Sequence, residues 1–86
     1  MRFISREAFL KSAGKLPPKI RIKLRDALKL LQENPRHPLL HVKKLSGELS
    51  GLLSFRITRE WRIIFYHEDS ETICLVDVAN RKDIYK

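Results

Sequence analysis

Hydrophobic residues follow two periods along this chain, and the change from one to the other divides it. In the first part, Ile20, Leu24, Ala27, Leu28 and Leu31 recur at helical spacing, while Lys19, Arg21, Lys23 and Lys29 occupy the opposite side. That pattern predicts an amphipathic helix. Pro17 and Pro18 open it, where proline does least harm, and Asn34-Pro35 closes it because the residue before a proline avoids helical backbone. Ile22 and Leu30 lie off the stripe, so this helix is expected to touch a second helix as well as a sheet. The second helix precedes it: Ser5 and Glu7 resemble a helix entry, Phe9 and Leu10 supply apolar contacts, and Gly14 is a stop. Arg2-Phe3-Ile4 reads as a short strand ahead of both.

Beyond Gly47 the period drops to two. Leu53, Phe55 and Ile57 alternate with Ser54, Arg56 and Thr58, the signature of a half-buried strand over residues 52–58. Thr58-Arg59-Glu60 connects it to a strand over 61–67, and the polar turn Glu68-Asp69-Ser70 leads into a strand over 72–79. Links this short require antiparallel neighbours, since a parallel crossover takes about a dozen residues or more. Gly47 and Gly51 mark turns, and residues 36–46, with no clean period, are expected to form a tethered loop with a short extended piece. The predicted fold is α+β: a short N-terminal strand, two helices, then a twisted antiparallel sheet meander with one face on the helices and the other open.

Composition narrows the function classes. A chain of 86 residues suits one domain over 1–86 with a modest core, and no internal repeat or linker divides it. Eighteen Lys plus Arg against ten Asp plus Glu give a formal net charge of +8, a field that attracts polyanions. No long apolar run or signal peptide points to a membrane. The single Cys74, within Ile73-Cys74-Leu75-Val76, argues for packing in a reducing cytoplasm rather than for a disulfide.

Several chemistries fall away. His37, His41 and His67 match no zinc spacing, so no metal is expected, nor any small-molecule cofactor. Gly47 and Gly51 lack the Gly-Lys-Ser/Thr ending of a phosphate loop, and no serine sits in a nucleophile elbow. What remains is a series of cations beside strand signals, Lys43-Lys44, Arg56, Arg59, Arg62 and Arg81, with Trp61, Tyr66 and Tyr85 among them. Cations attract phosphates, and the unstacked bases of single-stranded RNA lie on aromatic or guanidinium planes.

Metal-free RNA cleavage, in which a ribose 2′-hydroxyl attacks the adjacent phosphorus, needs in-line alignment, proton transfers and stabilised phosphoryl charge. Arginine hardly gives up its proton, so Arg56, Arg62 and Arg81 are candidate charge stabilisers rather than bases. The base is sought among Lys43, Lys44, Glu60, Tyr85 or the surroundings of the RNA itself; a lysine serves only where nearby cations or desolvation lower its pKa. Trp61 has flanking positions that read as core, which makes it a sheet anchor or a base platform.

Four runs carry a family resemblance: Lys43-Lys44-Leu45-Ser46-Gly47, Gly51-Leu52-Leu53-Ser54-Phe55-Arg56-Ile57, Trp61-Arg62-Ile63-Ile64-Phe65-Tyr66 and Asn80-Arg81-Lys82-Asp83-Ile84-Tyr85. Together they resemble the RelE/ParE superfamily of bacterial toxins, over nearly the whole chain, the last two runs being the more specific. The resemblance implies a strand–helix–helix–antiparallel-sheet fold and a cognate antitoxin. In the mRNA-cleaving branch it also implies cutting of messenger RNA in the ribosomal decoding site, and so inhibition of translation.

Carried over by position, Arg56, Arg62 and Arg81 would contact and polarise the scissile phosphate. Tyr85 would stack on a base or orient the nucleophile, Lys43 matches a basic or histidine position before the loop, and Glu60 an acidic position that some members have. Lys44, Arg59, Glu60 and Trp61 complete the expected RNA contacts. Members that rely on histidines would show them where this chain has Lys43, Arg56 and Arg81, so its chemistry should be of the Lys/Arg type, leaning on positioning by the ribosome. The alternative is a ParE-like toxin that inhibits DNA gyrase without catalysis. In either case the charge predicts an acidic, partly disordered antitoxin segment that folds on contact.

Overall fold

The computed structural model describes residues 1–84. Strand β1 (Arg2–Ser5) leads into helices α1 (Glu7–Gly14) and α2 (Pro18–Glu33), followed by β2 (Lys43–Lys44), β3 (Leu53–Arg56), β4 (Trp61–Asp69), β5 (Thr72–Asn80) and a short helix α3 (Arg81–Ile84). The strands form one five-stranded sheet in the order β1-β5-β4-β3-β2. β2 to β5 pair antiparallel in succession, as their short links require. β1 lies parallel to β5, so the sheet is mixed and the chain returns to its first strand last.

The local signals set the helix boundaries. Pro18 stands at the start of α2, and Asn34, with extended backbone, ends it before Pro35. α1 begins at Glu7 because Ser5 still belongs to β1, paired with Leu75. Between α2 and β2 the chain makes a 3-10 turn, Pro38–Leu40, in which His37 Nδ1 accepts the Leu39 N–H at 3.1 Å. Gly47 (φ 66°) and Gly51 (φ 91°) bracket the next reversal in left-handed backbone that other residues adopt only under strain.

The main core lies between the helices and one face of the sheet. Phe9, Leu16, Leu24, Leu31 and Leu40 pack against Phe55, Ile63, Phe65, Ile73, Leu75 and Val78. Phe55 and Phe65 meet edge to face, 5.4 Å between ring centroids, as aromatic quadrupoles prefer.

The other face departs from expectation. Period two sends Ser54, Arg62, Ile64 and Cys74 to the side opposite Phe55, Ile63 and Phe65, and all four are buried, Arg62 to 1% exposure. The expectation of an open second face is therefore corrected. Two register shifts between β4 and β5, at Ile64/Phe65 and His67/Asp69, supply a physical reason. Such bulges add twist and bend, and a curled sheet shelters the middle of its own concave side. Among the described residues no helix is long and apolar enough to cross a membrane.

Candidate nucleic-acid interface

Strand register gathers the cations. Lys43 lies opposite Ser54, which lies opposite Ile64; in the next row Arg56 lies opposite Arg62, which lies opposite Ala79. Directly opposed residues share a face with Cβ atoms about 5 Å apart, so Lys43, Ser54, Arg56 and Arg62 belong to the concave side. Like charges so placed repel, and a buried guanidinium is costly to desolvate. Arg56 is half-buried with its Nε out of solvent and without a hydrogen-bond partner among the described residues, as is Ser54 Oγ two positions away. Buried polar groups in folded proteins are nearly always satisfied, so this pair marks the face as unusual.

The β3–β4 connection brings further charge to the same end of the sheet. Thr58 Oγ1 accepts the N–H groups of Glu60 and Trp61, each at 3.2 Å, and the tight reversal leaves Arg59 and Glu60 exposed. The Arg81 N–H donates to the Glu60 carbonyl at 2.7 Å, fastening the start of α3 to that turn. Asn80 Oδ1 then accepts the Lys82 N–H at 3.0 Å and caps the short helix. Arg81 itself is exposed one position beyond the Trp61–Asn80 pair, so Arg56, Arg62, Arg59, Glu60 and Arg81 converge on one end of the molecule.

Two expected contacts fall elsewhere. Lys44 is exposed but pairs with Leu53, so it alternates away from the face that holds Lys43. Trp61 shares the period of Ile63 and Phe65 and packs half-buried against the main core, on the face opposite Arg62. Tyr85 lies outside the described residues.

One constellation escaped the sequence reading. The Arg6 guanidinium donates to the Tyr66 hydroxyl at 3.0 Å and lies 5.8 Å from the centre of that ring. Contact with the Cys74 thiol, which outweighs the nearby Arg6 charge, holds the Tyr66 phenol above its ordinary pKa. The bond to Tyr66 in turn raises that of Arg6. His37, His41 and His67 also line one cleft of about 710 Å³, with Arg36 and Met1. Among the described residues no group of three or more His, Cys, Asp or Glu side chains is placed to hold a metal ion.

A mixed sheet with two helices on one side and converging cations on the other defines a class of small basic α+β protein. The family model for the ParE-like toxin domain matches residues 18–80, and the chain belongs to that family, within the RelE/ParE superfamily of toxin–antitoxin toxins. Solved structures share the fold. The YoeB/ParE toxin from Agrobacterium tumefaciens superposes with a TM-score of 0.78 at 18% identity, over 94% of this chain and 99% of the other. YafQ from E. coli gives 0.79 at 14% identity over 100% of both chains. A chain of the RelBE2 toxin–antitoxin complex from Mycobacterium tuberculosis gives 0.74 at 24% identity, over 93% of this chain and 96% of its own. Comparison with curated proteins finds no match.

Proposed function

We propose that this toxin acts as a metal-independent endoribonuclease on messenger RNA held by the translating ribosome, and that an antitoxin with an acidic, partly disordered segment covers it. The observation that carries the reading is the Arg56–Arg62 row, with Ser54 Oγ and Arg56 Nε beside it lacking hydrogen-bond partners among the described residues. A phosphate is a ligand whose charge and acceptor oxygens would repay both the repulsion and the missing hydrogen bonds.

In the reaction, the 2′-hydroxyl loses a proton as its oxygen attacks the adjacent phosphorus. The bond from phosphorus to the 5′-oxygen breaks and that oxygen takes up a proton, leaving a 2′,3′-cyclic phosphate and a free 5′-hydroxyl. Arg56, with Arg81 from the start of α3, contacts the phosphoryl oxygens, and Arg62, buried beside Arg56, stabilises their charge through the field of its guanidinium. Arginine remains protonated throughout, so the general base lies elsewhere. Register leaves Lys43, in the row next to Arg56, and the turn leaves Glu60, whose own carbonyl holds Arg81. Tyr85 remains a further candidate for stacking or proton transfer. The ribosome would supply substrate alignment and place the action in the cytoplasm. The RelBE2 relative was solved as a toxin–antitoxin complex, which supports the antitoxin partner.

A second reading has its own support, because the matching family model is described as ParE-like. In that reading the chain inhibits gyrase without catalysis, and the concave face is ordinary surface. Adding purified protein to a translating extract with a reporter mRNA separates the two. Fragments ending inside codons are expected, reduced roughly a hundredfold or more in folded Arg62→Ala. Intact mRNA from a preparation that still arrests growth, with gyrase-dependent DNA breakage, would overturn the nuclease reading.

A further inference from the structure

We infer that Arg6 and Tyr66 form a second nucleotide subsite, a stacking shelf for a base of the RNA neighbouring the nucleotide that is cut; the inference rests on the nuclease reading above. Register places the pair on the concave face. Ile4 lies opposite Cys74, which lies opposite Tyr66, and Tyr66 shares the period of Ile64 and Arg62 on β4. The Arg6 N–H donates to the Leu75 carbonyl at 3.0 Å, so the extended backbone of β1 carries on through Arg6 and alternation puts its side chain with that of Ile4. The guanidinium then reaches across β5 to the Tyr66 hydroxyl.

Little stability follows from this contact, because an exposed cation beside an aromatic ring contributes only modestly. Its consequence is geometric. The exposed guanidinium is tethered to the Tyr66 hydroxyl and also interacts with the Cys74 thiol, and with five N–H donors in all it keeps capacity for a further ligand. Next to it stands Ile4, 48% exposed, an apolar side chain in the same row. A tethered cationic plane, a half-buried phenol and an exposed aliphatic side chain are what a nucleobase and its phosphate need together. Tyr66 is four residues from Arg62 along β4, about 13 Å at strand rise. The shelf therefore takes a flanking nucleotide, and its role is binding rather than chemistry.

Cleavage in the translating extract, measured over a range of concentrations of ribosome-bound mRNA, tests this. Arg6→Ala and Tyr66→Ala should each raise KM by roughly tenfold, the scale of one base stack, with kcat within about twofold of wild type. Tyr66→Phe keeps the ring and should stay near the wild-type KM; Arg6→Lys keeps the charge without the plane and should not. Thermal unfolding of Arg6→Ala, a change at an exposed position, should match wild type, so a raised KM there is not a folding defect. Unchanged KM in Arg6→Ala, or a fall in kcat at constant KM, would overturn the subsite and leave the pair to a protein partner, while cleavage itself stood. Absence of cleavage by the wild type would overturn the nuclease reading and the subsite with it.

Discussion

β3 and β4 present two faces made of alternate residues of the same strands, and the two obey different rules. Toward the helices they send Phe55, Ile63 and Phe65, each at most 1% exposed and packed with apolar partners. Toward the concave side they send Ser54, Arg56, Arg62 and Ile64, equally out of water in part but carrying a buried guanidinium, an opposed like charge and, at Ser54 Oγ and Arg56 Nε, polar atoms without hydrogen-bond partners among the described residues. A sequence shaped for stability alone would fill both faces with hydrocarbon, since replacing buried charge by apolar groups of similar size is commonly neutral or stabilising. Where local chemistry works against stability, function is the usual reason. The difference makes the concave side the candidate site.

The largest effect should come from damage to the helix side. Phe55→Ala removes a fully buried ring and should lower unfolding free energy by about 3–5 kcal/mol in urea titrations, a large part of what a domain of this size has. Arg62→Met is the contrasting change on the other face. Cleavage should fall roughly a hundredfold or more, with a smaller loss of stability than Phe55→Ala; a loss comparable to that of Phe55→Ala would erase the distinction between the faces. Ser54→Ala sharpens it further. Removing a buried hydroxyl with no hydrogen-bond partner among the described residues should leave stability unchanged or raise it by about 1 kcal/mol, read from the same urea midpoints.

The smallest effect lies at the β4–β5 turn, away from both faces. The Glu71 N–H donates to Asp69 Oδ1 at 2.8 Å and holds that carboxyl below the ordinary aspartate range. A depressed folded pKa means that the contribution is present above the unfolded value of about 3.9 and fades as pH falls through the lower folded one. The difference in urea midpoint between wild type and Asp69→Asn should therefore shrink on acidification below about pH 4.

Much of this fold was legible because its signals are local. Pro18 and Asn34-Pro35 bound α2 where the helical period begins and ends, and alternation around Phe55 and Ile63 identifies β3 and β4 and assigns their faces. Pairing of β1 with β5 was not legible, since it joins strands about 70 residues apart and depends on how the helices return the chain. The helix α3 is only four residues long and its Asn80 cap has no periodic pattern behind it. Period two indicates which side Arg62 takes but not how far the sheet curls over it, so its burial was missed. It also set Trp61 in phase with Ile63, a signal for packing that the sequence already contained. Arg6 and Tyr66 are 60 positions apart and meet only through the parallel pairing.

The most direct measurement is primer extension across a reporter mRNA in bacteria expressing either the wild type or Arg81→Ala, with translation active. The account predicts new 5′ ends inside codons for the wild type and their loss for a folded Arg81→Ala protein, since Arg81 stands at the cationic end of the concave face. Growth arrest by the wild type with no new ends would contradict it.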